Sequence, residues 1–184
     1  MASSSYVMRY EDDAIARARK RYKTMTDHHY TTLWEGWGIG RNGYGGGTIN
    51  HAWTGGMLTL LSQYAAGVAP TKPGYDSYHV LPQMGPLKHI KTIVPSVKGD
   101  IALELRNQAK SFSIDLVSPA ATTAVIGIPK RQDMPVQSIK ANGKTIWENG
   151  KFKGRSGKLT FVEETEHDIR FSVQAGEWSI QAAY

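Results

Sequence analysis

The sequence predicts a mainly β protein: an antiparallel β-sandwich from about residue 76 to residue 184, preceded by two helices. Three observations predict it. The hydrophobic period changes from helical to two after Pro70-Thr71-Lys72-Pro73-Gly74. Beyond that point at least four segments alternate apolar and polar residues. Asn142-Gly143, between SIKA and KTIW, is a two-residue hairpin signal.

The elements follow in order. Residues 4 to 24 read as a helix, because Tyr6, Tyr10, Ala14, Ala18 and Tyr22 recur every four residues. Ser3 to Ser5 supply its expected N-caps. Residues 50 to 67 read as a second helix, with Trp53, Met57, Leu60, Leu61, Tyr64 and Val68 on one stripe. Asn50 or Thr48 is its expected cap and Gly67 its expected end. Gly55 and Gly56 weaken that helix, and close approach to another helix or a ligand is their expected reason. The strands come next. Ile101, Leu103 and Leu105 form one apolar face, then Phe112, Ile114 and Leu116, then Ile169, Phe171 and Val173, then Trp178, Ile180 and Ala182. Trp147 and Trp178 read as core. Strands at such short spacing favour a sandwich. The domain boundary falls between residues 72 and 73.

Composition narrows the classes. A chain of 184 residues with 40% hydrophobic residues sustains a core, which excludes wholesale disorder. With no cysteine, disulfides and thiolate metal sites are excluded. No apolar run reaches membrane-spanning length, and MASSSYVMRYEDD lacks a signal-peptide core. Either the chain is cytosolic or its targeting signal lies on a part not included. The net charge of +6 comes partly from Arg17, Arg19, Lys20, Arg21 and Lys23. Without clustered aromatics for base stacking, this run reads as a solvated helix face. We therefore expect neither a nucleic-acid nor a membrane partner.

The chemistry concentrates between Thr31 and Gly56, TTLWEGWGIGRNGYGGGTINHAWTGG. Glu35 lies between Trp34 and Trp37, and Asn50-His51 opens the second helical pattern. The C–H faces of a pyranose stack on indole, and its hydroxyls need directional partners. A carboxylate there activates water or protonates a leaving group. Gly38-x-Gly40-x-x-Gly43 formally matches a dinucleotide fingerprint, but Tyr44-Gly45-Gly46-Gly47 prevents the prompt helix that motif needs. It reads as a pocket-lining loop. His28-His29 with Asp27 is a poor metal set, because sequence neighbours rarely point at one ion. Trp53 reads as core. No cofactor or metal is expected.

Several segments together resemble the C-terminal part of a bacterial α-L-rhamnosidase of glycoside hydrolase family 78. They are TTLWEGW (31–37), GGGTINHAWTGG (45–56), LLSQYAAGVAPTKPGYDSYHVLPQ (60–83), VPSVKGDIALEL (94–105) and DLVSPAATTAVIGIPK (115–130). Each is moderately specific, and their order strengthens the match. The resemblance implies the last helices of an (α/α)6 barrel within residues 1–72, then a C-terminal β-sandwich over 73–184. It implies hydrolysis of terminal α-L-rhamnosides with inversion, rhamnose-containing glycans as partners, and a periplasmic or extracellular location. By position it implies Glu35 as general base, His51 beside the bound sugar with Asn50 next to it, and Trp34 or Trp37 as an aromatic wall. The family's general acid belongs to earlier barrel segments, and nothing before Glu35 matches it. The chain is thus expected to need the remainder of the barrel and to be inactive alone. The alternative from a different class is a non-catalytic carbohydrate-binding or structural β-sandwich module.

Overall fold

A computed structural model describes residues 7–36, 47–154 and 157–184. The chain divides into two units, Met1–Leu61 and Ser62–Tyr184.

In the first unit, helix α1 spans Glu11–Thr26. It starts later than the four-residue period suggests. Arg9 has φ 61° and Tyr10, the N-cap, is non-helical. Glu11, Asp12 and Asp13 then occupy the first turn, where carboxylates favour the positive end of the helix dipole. Tyr6 and Ser3 to Ser5 lie outside the described residues. Ala14, Ile15, Ala18 and Met25 are its buried face. The basic side chains Arg17, Arg19, Lys20, Arg21 and Lys23 are exposed, and Arg17 and Lys23 pair with Asp13 and Asp27 one turn away.

The predicted second helix is broken into three hydrogen-bonding patterns. A 3₁₀ turn covers Ala52–Gly55, a short α-helix α2 covers Gly56–Leu60, and a π turn covers Leu61–Ala65. The first change falls at Gly55-Gly56, where missing side chains leave the backbone least constrained. Gly67 ends the path with φ 78°, and Val68 belongs to a strand. Neither Asn50 nor Thr48 caps this segment; its N-cap is His51, without a side-chain cap bond. Among the described residues no helix is long and apolar enough to cross a membrane.

The second unit is one mixed sheet of ten strands. In order they are β1 Val68–Pro70, β2 Ser77–Val80, β3 His89–Val94, β4 Ile101–Gln108, β5 Ser111–Pro129, β6 Ser138–Ala141, β7 Lys144–Glu148, β8 Lys151–Phe152, β9 Leu159–Glu164 and β10 Asp168–Ala183. The long strands β5 and β10 run antiparallel, with a register shift between Gln174 and Gly176. On β5 the break falls near Ala121, which has φ 59°. These breaks divide the sheet into two wings. One joins β3 and β4 to the first half of β5, and β6, β7 and β8 to the second half of β10. The other joins β1 and β2 to the second half of β5, and β9 to the first half of β10.

Both wings contribute to one hydrophobic cluster. Leu103, Leu105, Ile114 and Leu116 come from one wing, and Ile126, Ile128, Phe171 and Val173 from the other. The mainly β expectation holds, and the predicted inward residues other than Trp178 are buried. The pairing is mixed because β2 runs parallel to β5, reached through the β3–β4 connection. Asn142 and Gly143 adopt φ 47° and 78°, as a type I′ hairpin requires. Asn149-Gly150 repeats the device between β7 and β8 with φ 52° and 72°. Trp147 is buried as expected; Trp178 is only partly buried against the core.

Candidate functional site

The residues around Glu35 are assembled by backbone pairing within the first unit. Segment 32–35 runs against segment 48–51. The Glu35 N–H donates to the Thr48 carbonyl at 2.9 Å, and the His51 N–H to the Leu33 carbonyl at 2.7 Å. Thr32 Oγ1 adds a bond to the Ile49 carbonyl. These bonds hold together the two ends of the glycine-rich loop, whose residues 37–46 lie outside the described set. Trp37 is among them.

Beneath this ladder Trp34 is fully buried and packs against Met25 of α1. Its indole N–H has no hydrogen-bond partner among the described residues. His28 meets the indole edge-on, with ring centroids 5.0 Å apart. A covered indole presents no face to a ligand in this chain, so Trp34 anchors the segment. His28 and His29 stack on each other at 4.2 Å.

Glu35 and His51 are brought together. The Thr48 N–H donates to Glu35 Oε2 at 2.7 Å. His51 Nδ1 lies 3.8 Å from the same oxygen and 3.3 Å from Thr48 Oγ1. Both side chains keep about a third of their surface open, 32% for Glu35 and 37% for His51. Oε1 of Glu35 makes no hydrogen bond to a described residue. Asn50 is exposed, and its carbonyl accepts from Thr48 Oγ1 at 3.4 Å.

Trp53 completes the arrangement, and the sequence reading misplaced it. It is 67% exposed and not part of a core. Its indole N–H donates to the Glu35 carbonyl at 2.8 Å, and its ring centre lies 4.6 Å from that of His51. An apolar stripe reports that a residue shares a helical face, but the broken helix from Ala52 to Ala65 disperses that face. The neighbouring Thr54 is held at both ends. Its hydroxyl bonds the His51 carbonyl at 3.1 Å, and its carbonyl accepts from Tyr22 of α1. The result is a carboxylate, an imidazole and an open indole on one short backbone frame. Such a set can take a proton from water beside a ligand with an apolar face.

Residues 67–142, from just before β1 to the β6–β7 turn, match the model of the bacterial alpha-L-rhamnosidase C-terminal domain. Over these residues the chain is similar to that domain. Three solved structures share its fold. The α-L-rhamnosidase from Dictyoglumus thermophilum superposes with TM-score 0.71 at 25% identity, covering 87% of this chain and 17% of that one. The Streptomyces avermitilis α-L-rhamnosidase, solved with L-rhamnose, gives TM-score 0.63 at 21% identity over 82% of this chain and 13% of its own. The Aspergillus terreus α-L-rhamnosidase gives TM-score 0.59 at 16% identity over 87% of this chain and 15% of its own. The match thus spans only 13% to 17% of the length of those rhamnosidases. None of the curated protein sequences matches this chain.

Proposed function

We propose that this chain is the C-terminal portion of an inverting α-L-rhamnosidase, with Glu35 as its general base. The observation that carries the reading is the Glu35–His51 pair, set on the segment preceding a rhamnosidase C-terminal domain. Glu35 Oε2 is held by the Thr48 N–H, which orients the carboxylate. Oε1 accepts the proton of the attacking water. His51 and Asn50 face the sugar, and the exposed indole of Trp53 supplies the apolar wall that Trp34, being buried, does not.

Inversion also needs a general acid about 6.5–9.5 Å from the base. Thr48, His51 and Trp53 are the described groups around Glu35, and none is a carboxylic acid. The acid comes from the rest of the barrel, so this chain alone does not turn over rhamnosides. The test is a chimaera in which residues 31–184 replace the matching segment of the Dictyoglumus enzyme. Glu35→Gln in that chimaera lowers kcat on an aryl α-L-rhamnoside by about 10²–10⁴-fold with KM little changed. Near-normal kcat overturns the assignment.

A further inference from the structure

The sheet has several open edges, and they are not alike. Among the described residues β1, β3, β8 and β9 each pair on one side only. An open edge presents a row of unpaired N–H and C=O groups that another strand can bond. Edges are therefore commonly short, bulged or interrupted by proline. β1 has 3 residues and ends in Pro70, and β8 has 2. β9 is broken by a register shift against β10 at Arg170/Phe171. β3 has none of these devices. Its 6 residues, His89–Val94, pair with β4 without a break in register.

The hydrogen-bond alternation shows which groups β3 leaves open. Beyond one end of the strand, Ser96 and Gly99 exchange backbone bonds at 3.2 and 3.1 Å. Beyond the other, the Asn107 N–H donates to the Lys88 carbonyl at 2.9 Å. In an antiparallel pair every second residue bonds the neighbouring strand. Ile90, Thr92 and Val94 therefore bond β4, and His89, Lys91 and Ile93 turn their N–H and C=O groups to the open edge. No described residue bonds those groups. Ile93 is also 62% exposed, and in register with it lie Ala102 and then Val117, itself 47% exposed.

We propose that β3 pairs with β3 of a second copy of this chain, antiparallel about a two-fold axis at Thr92. Charge and strand length select this register. Centred on Lys91, the pairing sets two ammonium groups directly opposite each other, which is unfavourable. Centred on Ile93, it carries His89 past the end of the strand, opposite the hairpin turn. Centred on Thr92, it sets Lys91 opposite Ile93 of the second copy and Ile93 opposite that copy's Lys91. Both pairs exchange N–H···O bonds, and each His89 N–H reaches a Pro95 carbonyl. The lysine stem covers the isoleucine while its ammonium stays in water. Glu104, in register with Lys91 on β4, lies alongside as the counter-charge. The two-fold pairing joins two sheets edge to edge and closes on itself. It uses none of the residues around Glu35.

The chain has no cysteine, so a single introduced thiol reports the contact. Facing Thr92 residues form a non-hydrogen-bonded pair with Cα atoms about 4.5 Å apart, within disulfide reach. The full chain is taken in the Trp53→Ser/Leu58→Ser background, which keeps association through the first unit out of the measurement. Under oxidised glutathione, Thr92→Cys is expected to form a disulfide-linked dimer about tenfold faster than Val97→Cys, or faster still. Val97 is the more accessible position at 85% exposure, but this register holds its two copies roughly 30 Å apart. Adding Ile93→Lys sets ammonium groups opposite each other and removes that preference. Amide exchange read by NMR reports the same contact without a thiol. The Lys91 and Ile93 N–H groups are expected to exchange about tenfold more slowly in concentrated than in dilute solution. Equal cross-linking at 92 and 97 overturns the proposal. So does exchange at Lys91 and Ile93 that is the same at every concentration, whether fast, with the edge open to water, or slow, with the edge covered from within one chain.

Discussion

The guanidinium carbon of Arg131 sits 3.7 Å from the ring centroid of Tyr184. It ties the end of β10 to the segment after β5. Tyr184 donates its hydroxyl to the Pro129 carbonyl at 2.6 Å and its N–H to the Lys110 carbonyl at 3.1 Å. Arg131 reaches across the β4–β5 turn to the Gln108, Ala109 and Ser111 carbonyls. Arg131→Ala removes the cation over the ring and leaves those carbonyls short of a donor. We expect a loss of about 2 kcal/mol, from about 0.5–1 for the cation–π contact and the remainder for the hydrogen bonds. Arg131→Lys recovers little, because an ammonium lacks the planar fork that serves several carbonyls at once. Thermal unfolding of the three proteins measures it, and equal Tm for wild type and Arg131→Ala refutes it.

Tyr184 also gives the domain an alkaline limit. Burial pushes its phenol up to about 12, with Arg131 pulling weakly the other way. In the unfolded chain the phenol ionises near its ordinary value of 10.0. The folded state therefore holds the proton more tightly. The stability this brings is complete below pH 10 and disappears as pH rises to about 12, amounting to about 2–3 kcal/mol. Tyr184→Phe is expected to be less stable at neutral pH, for want of the bond to Pro129, but flatter in Tm between pH 10 and 12. Parallel Tm curves for the two proteins over that window contradict the assignment.

Gly67 is the point where the helical path becomes strand β1, and two constraints meet there. Its φ is 78°, a region costly for other residues, and a Cβ would overlap the backbone of Leu81 and Pro82. The overlap is with main chain, so no side-chain rotation relieves it. Gly67→Ala is expected to cost about 3 kcal/mol or more, or to abolish folding of the sheet domain. Gly143→Ala is a control with positive φ but open space around the Cβ, and it should cost about 1 kcal/mol. Urea midpoints rank the two, and equal losses refute the steric argument.

The sheet was legible in the sequence where alternation was strict. Leu103, Leu105, Ile114, Leu116, Phe171 and Val173 all point inward as read. Alternation says which face is covered but not what covers it. The parallel partner of β5 and the continuity of β5 past Pro119 were therefore not readable. Near the site, residue type and order pointed to Glu35 and His51, which the structure sets side by side. Trp34 and Trp53 exchanged expected places, one buried and one open, because tryptophan is equally apt for either. Their burial depends on Met25 and on the break at Gly55-Gly56, which no periodicity encodes.

The first unit leaves large apolar side chains open: Trp53 at 67%, Leu58 at 64% and Tyr10 at 62% exposure. Exposed apolar area of this kind favours association. The isolated chain is expected to form concentration-dependent oligomers in light scattering. Trp53→Ser/Leu58→Ser shifts it towards monomer without lowering the unfolding temperature of the sheet domain. A monodisperse monomer for the unaltered chain at high concentration refutes the expectation.

His51 and Glu35 share one carboxylate oxygen's surroundings but are assigned different tasks, and kinetics in the chimaera separates them. A general base accepts a proton only as water attacks, so on the proposed role the loss of Glu35 falls on kcat. His51 contacts Thr48 Oγ1 and packs its ring against Trp53. If it faces the bound sugar, it contributes to ground and transition states alike, and its loss falls on KM. His51→Ala is expected to raise KM for an aryl α-L-rhamnoside about tenfold, with kcat within about threefold of the parent. Trp53→Ala shows the same pattern, because an indole wall binds sugar without touching the proton in flight. A collapse of kcat in His51→Ala as deep as that of Glu35→Gln makes the imidazole part of the proton-transfer machinery and overturns its role as a binding residue.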